Sequence, residues 1–204
     1  MTRKYKHVMI DIEAMGVNKQ SPVVAVGAVF FDPLKNELGP EFYKKVSLES
    51  SMAIGTVPDA GTILYWLQGS DAARGEITSA KDSIHSVLIL LSSFLAQNSH
   101  SERTLRVWAN GPTYDVVILE GSYRLCGLEI PWLCYRIQDV RTVVDMGRMV
   151  DIDPKKTLPF EGVAHNALDD AKHQARYVSE IISHLIPTKA IYPGELPVIE
   201  GGES

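Results

Sequence analysis

His7-Val8-Met9-Ile10-Asp11-Ile12-Glu13 reads as a β-strand with apolar side chains on both faces and two acids at its end. A strand repeats every two residues, so Asp11 and Glu13 point to the same face. Two carboxylates side by side repel each other unless a cation lies between them. Hard oxygen ligands of this kind suit Mg²⁺ or Mn²⁺. D-x-E is a common string, however, and alone it equally describes a solvated turn after a strand. Its meaning depends on what the rest of the chain brings beside it.

Working outward, Pro22 to Phe31 and Glu41 to Ser47 are further β-rich runs, and their short spacing predicts an antiparallel meander. Leu105 to Ala109 predicts a fourth strand and Cys134 to Gln138 a fifth. Helical spacing is present over Pro58 to Gln68, Ser79 to Gln97 and Thr113 to Cys126. Asp139 can N-cap a helix through Met149, and Asn166 to Leu185 is the last long helix. Asp151 to Gly162 reads as a loop. Three strands followed by alternating helices and strands predict an α/β fold, a mixed five-stranded sheet flanked by helices.

Two further segments carry candidate chemistry. Asp115 follows Trp108-Ala109-Asn110-Gly111-Pro112-Thr113-Tyr114, a strand, a sharp turn and a helix start. Alone it is a first-turn acid favoured by the helix dipole. If the fourth strand lies beside the first, the same turn brings it near Asp11. The other segment is His165-Asn166-Ala167-Leu168-Asp169-Asp170-Ala171. Asn166 is a good N-cap and Asp169 falls at N3 of a capping box, which leaves Asp170 spare. His165 lies just before the helix and can stand over the same site as Asp170. Histidine is the side chain best placed to take a proton from water near neutral pH. Read alone, His165 equally fits a surface histidine beside a cap.

The ordered set D-x-E, Asp, H-x4-D resembles that of the DEDDh 3′–5′ exonucleases, which have a ribonuclease H-like fold. The segments around Asp11, Asp115, Asp139 to Thr142 and His165 are similar to the branch containing the DexA exonuclease of T-even phages and exodeoxyribonuclease VIII. The resemblance covers about residues 5 to 185. It implies that Asp11, Glu13, Asp115 and Asp170 hold two divalent ions, Mg²⁺ or Mn²⁺, and that His165 accepts a proton from the attacking water. Glu13 would help orient that water. The implied activity is metal-dependent release of nucleoside 5′-monophosphates from 3′ ends, with DNA favoured through the DexA-like branch. Alternatives are an exoribonuclease of the same fold, a nucleic-acid-binding module without catalysis, and an unrelated structural domain. Many family members have Thr after the glutamate, where this chain has Ala14. Backbone groups of Ala14-Met15-Gly16 remain candidates for the 3′-terminal nucleotide, with Met15 packing on its base or sugar.

Other residues carry two readings each. Trp66 can stack a base, but a Trp at helical spacing is more often core. Trp108 reads as core. Asn110 either binds substrate or shapes its turn. Arg141 either reaches a phosphate or pairs with Asp139 or Asp145.

Composition sets the outer limits. The chain has 204 residues, 45% hydrophobic and 22% charged, an ordinary globular balance that excludes disorder, collagen and coiled coil for the whole. One domain over residues 1–186 is expected, with a Pro/Gly-rich tail over 187–204 that is loose or docked on a partner, a homodimer among the options. The net charge of -5 argues against salt-driven holding of long duplex through many phosphates. It is compatible with an enzyme that grips a few nucleotides of an accessible or single-stranded 3′ end. Cys126 and Cys134 form no CxxC or zinc-finger pattern and are expected as two free, buried thiols in a reducing compartment. The basic Met1 to His7 stretch lacks a long apolar run, so no signal peptide is expected, and the longest apolar run, Ser86 to Ala96, is too short for a membrane span, so the location is expected to be cytoplasmic.

Overall fold

β1 (His7–Ala14) is the middle strand of a five-stranded sheet in the computed structural model, which describes residues 4–186. β2 (Val23–Asp32) and β3 (Glu37–Lys45) extend the sheet on one side as an antiparallel meander. On the other side, β4 (Arg106–Ala109) runs parallel to β1, and β5 (Ile137–Asp139) runs parallel to β4. The order β3-β2-β1-β4-β5 is the mixed five-stranded sheet expected from the sequence. Asp32 builds the β2–β3 turn: its carboxylate accepts the Leu34 N–H and its carbonyl accepts that of Lys35.

Helices α1 (Leu48–Ala53), α2 (Ala60–Gln68), α3 (Asp71–Thr78) and α4 (Ile84–Asn98) lie between β3 and β4. α5 (Asp115–Leu125) joins β4 to β5, and α6 (Val140–Arg148), α7 (Pro154–Thr157) and α8 (Ala167–Leu185) follow β5. The alternation of β1 assigns its faces. Val8, Ile10, Ile12 and Ala14 enter one core with Val87, Leu88 and Leu91 of α4 and Ile118 and Leu119 of α5. Met9 enters the opposite core, with Val140 and Val144 of α6 and Ala171, Ala175 and Val178 of α8. Asp11 and Glu13 follow Met9 on that second face.

Gly27 determines how closely α8 can approach. It pairs with Asp11 across the β1–β2 ladder, and directly opposed residues share a face. A Cβ on Gly27 would lie 2.2 Å from the Ala167 carbonyl carbon and 2.3 Å from the Leu168 nitrogen. The backbone at the start of α8 therefore rests directly on β2, one strand from Asp11.

Several expectations need correction. The helix expected over Ser79 to Gln97 begins at Ile84, because the Ser83 hydroxyl caps it by accepting the Ser86 N–H. The third strand starts at Glu37, before its expected start at Glu41. Cys134–Arg136 is a 3₁₀ turn, and the fifth strand is Ile137–Asp139. The expected loop after Asp151 contains α7, with Pro154 at its start. Cys126 is half-buried and Cys134 is exposed; both are free thiols, but they are not the buried pair expected. The expected tail over 187–204 lies outside the described residues. Among the described residues, no helix is long and apolar enough to cross a membrane.

Candidate active site

Four acids from three elements meet at the end of β1. Asp11 and Glu13 project from the strand itself. Asp115 is brought in because β4 stops at Ala109, while β1 continues to Ala14. The chain turns through Gly111, whose φ is +118°, and Asp115 begins α5 beside the uncovered strand edge. Backbone N–H groups of Ile12 and of Asp115 itself donate to its buried carboxylate. Asp170 comes from the first turn of α8, where that helix rests on Gly27.

Gathered this closely, the acids hold protons more tightly than free carboxylates. Burial pushes Glu13 up to about 8, and the charges of Asp170 and Asp115 add to it. Burial likewise raises Asp115 to about 7, against the pull of two backbone donors and the Arg141 guanidinium. Asp11 is raised well above the usual range by burial, then by Asp115 and Glu13. Asp170 is raised by burial, although His165 opposes this with its charge and its backbone N–H. Desolvated carboxylates that repel one another are the donor set that a hard divalent cation fits.

His165 stands over this cluster. Its ring and the carboxylates of Glu13 and Asp170 offer ligand atoms that all lie within 4.8 Å of one another. Its φ is +64°, a left-handed conformation that non-glycine residues adopt rarely. The cap below it holds that turn. The Asn166 side chain accepts the N–H groups of Leu168 and Asp169 at 3.1 and 3.2 Å. Asp169 has the structural task expected of it, but with a different partner. Its carboxylate reaches back to the Val163 N–H at 2.9 Å, so it ties the approach loop to α8.

Three contributors were not anticipated. Gln174, one turn after Asp170, donates its amide to Asp11 Oδ1 at 2.8 Å. Its place on the wheel, four residues from Asp170, was a readable signal. Tyr65, exposed on α2, meets the His165 ring edge-on, with its hydroxyl 3.0 Å from Nε2. Tyr114 donates its hydroxyl to the Gly16 carbonyl at 2.7 Å and so fixes the chain just beyond β1.

An open cleft of about 480 Å³ adjoins Glu13, with Ala14, Gly16, Tyr65, Trp66 and Tyr114 in its walls. Trp66 is 6% exposed and packs with Met15 and Val24, so its body is core and only an edge meets the cleft. Met15 belongs to the same small core, which removes its side chain from the cleft wall. Asn110 is half-buried, and its Oδ1 is buried with no hydrogen-bond partner. Trp108 is core and donates its indole N–H to His7 Nδ1 at 3.0 Å. The Arg141 guanidinium lies against Gly111, close enough to act on Asp115, whereas Asp145 pairs with Arg148.

The sequence profile of the 3'-5' exoribonuclease Rv2179c-like domain matches residues 6–182. The chain belongs to this family. The chain also has the fold of solved nucleases. Cell-death related nuclease 4 (CRN-4) superposes with a TM-score of 0.65 at 16% identity, over 87% of this chain and 64% of its own. The nuclease domain of 3′hExo, a DEDDh family member solved with rAMP bound, gives 0.57 at 17%, over 87% and 92%. Exonuclease I with product bound gives 0.56 at 10%, over 90% of this chain and 44% of its own. The chain thus spans less than two thirds of CRN-4 and under half of exonuclease I. At these identities the likeness is one of fold, the ribonuclease H-like fold that the motif order implied. No curated protein sequence matches the chain significantly. The family is described as a 3′–5′ exoribonuclease-like domain, and one solved neighbour, 3′hExo, is described as a DEDDh family member.

Proposed function

We propose that Asp11, Glu13, Asp115 and Asp170 hold Mg²⁺ or Mn²⁺, two ions per site, and that His165 is the proton acceptor for the attacking water. The observation that carries this reading is the convergence of four acids with raised proton affinities beneath one histidine. Bound cations would supply a more acidic water and charge neutralisation at the phosphate. The chain's own residues do the rest. Glu13 borders the cleft and stands beside His165, which suits it to orient the water. His165 accepts the proton, and the Tyr65 hydroxyl, 3.0 Å from Nε2, steers the ring. A general base of this kind contributes about 10²–10⁴-fold to the rate. The cleft has the volume of a small-ligand site, enough for a terminal nucleotide against Ala14, Gly16 and the Trp66 edge.

The substrate we favour is RNA. The description of the family favours it over the DNA implied by the DexA-like resemblance. The test is digestion of matched 5′-labelled RNA and DNA oligonucleotides, single- and double-stranded, with Mg²⁺ or with EDTA. The expected result is shortening from the 3′ end to nucleoside 5′-monophosphates, stopped by EDTA and by Asp170→Asn. Faster digestion of DNA would reverse the substrate order. Inactivity on both would contradict the mechanism and favour the binding-module reading.

A further inference from the structure

Gln174 occupies an unusual position for an amide. It is 6% exposed, on the face of α8 that carries Asp170, and that helix packs on β1 and β2. Its Nε2 donates to Asp11 Oδ1 at 2.8 Å, while its own Oε1 is buried without a hydrogen-bond partner. An unpartnered buried carbonyl costs stability. A side chain kept only to fill this space would be better apolar. The donor end must therefore repay the acceptor end.

We propose that Gln174 is a positioning residue: by engaging Asp11 Oδ1 it fixes the carboxylate plane and leaves Oδ2 for the cation. This rests on the reading of Asp11 as a metal ligand. The residue type fits the task. An amide donates a hydrogen bond without carrying charge. Lysine or arginine here would neutralise Asp11 and compete with the cation, and glutamate would add another like charge. The spacing fits as well. Residues four apart on a helix lie one above the other, so α8 delivers Asp170 to the site and Gln174 to the carboxylate beside it. One helix thereby sets two of the four acids, one as its own side chain and one through a hydrogen bond.

The test uses the full chain and Mn²⁺ without nucleic acid, free Mn²⁺ being read by electron paramagnetic resonance. Wild type, Gln174→Met and Asp11→Asn are titrated together, and each is melted in EDTA. Methionine keeps the length and removes the donor. Gln174→Met is expected to melt at or above the wild-type temperature and to bind Mn²⁺ about 10–100-fold more weakly, the usual consequence of losing a partner of a metal ligand. In turnover, kcat falls while KM for the oligonucleotide holds. Mn²⁺ affinity within about twofold of wild type overturns the proposal, because a packing role alone leaves that affinity unmoved. If Asp11→Asn binds as wild type does, the metal reading itself fails. If Gln174→Met does not fold, the wild-type side-chain amide is followed by ¹H–¹⁵N NMR during Mg²⁺ titration. A Gln174 signal that shifts in step with binding supports the proposal, and one that stays fixed overturns it.

Discussion

Gly27→Ala adds one methyl group inside the packed contact between β2 and α8, yet it is expected to damage catalysis. The added carbon would lie 2.2 Å from the Ala167 carbonyl carbon, 2.3 Å from its oxygen and 2.3 Å from the Leu168 nitrogen. Ordinary contact begins near 3.4 Å, so the start of α8 must retreat by about 1.2 Å. All three atoms are backbone, and no rotamer change relieves them. Inserting a methyl into a packed interior typically costs about 1–3 kcal/mol. For a chain of this size each kcal/mol lowers Tm by about 2–4 °C. The retreat carries Asp170 and Gln174 away from Asp11, and a displacement of about 1 Å can cost about 100-fold in rate. The assay pairs a thermal melt with turnover on a 5′-labelled oligonucleotide. The expected variant is folded at assay temperature, melts a few degrees early and turns over far more slowly than that loss explains. Wild-type turnover together with an unchanged Tm would refute the direct seating of α8 on β2.

Other consequences follow from the same geometry. In EDTA, stability should fall as pH rises from about 5 to 8.5. The folded protein keeps protons on Glu13 (about 8), Asp115 (about 7), Asp11 and Asp170, whereas unfolded carboxylates lose theirs near 4. Stability from these groups is complete below the unfolded value and is lost through the folded ones, so the Tm gain from Mn²⁺ should grow with pH; a metal-free Tm that climbs over this range contradicts the shifts. Asp169→Ala removes the acceptor for Val163 N–H and should lower stability by about 0.5–2 kcal/mol, by urea melt, with Mn²⁺ affinity unchanged. A larger catalytic loss from Asp169→Ala than from Asp170→Ala would reverse the roles of the two neighbours. His165→Gly should hold the melting temperature, because glycine accepts a φ of +64° freely, while turnover drops by about 10²–10⁴-fold. A variant with normal turnover removes His165 from the mechanism.

Much of this arrangement is written locally in the chain. The period-two rule places Asp11 and Glu13 on one face, and Asp139 and Asn166 announce the starts of α6 and α8 by their capping side chains. The turn at Asn110 to Pro112 delivers Asp115 to β1 because β4 does lie beside it. What escaped local reading has tertiary causes. α1 and α7 are too short for a periodic signal, and they exist through Ser47 as a cap and Pro154 at a first turn. Met15 has the chemistry of a base contact, but the chain folds it onto Val24 and onto Trp66, whose helical spacing already favoured core. Tyr65 meets His165 across 100 positions of sequence, a separation that no local pattern spans.

The four acids at the end of β1 are proposed as a metal centre. Anomalous diffraction from crystals grown with Mn²⁺ and a nucleoside 5′-monophosphate tests it most directly. Two anomalous peaks are expected among Asp11, Glu13, Asp115 and Asp170, with the phosphate between them and His165. Mn²⁺ bound elsewhere, with these carboxylates free of metal, would contradict it.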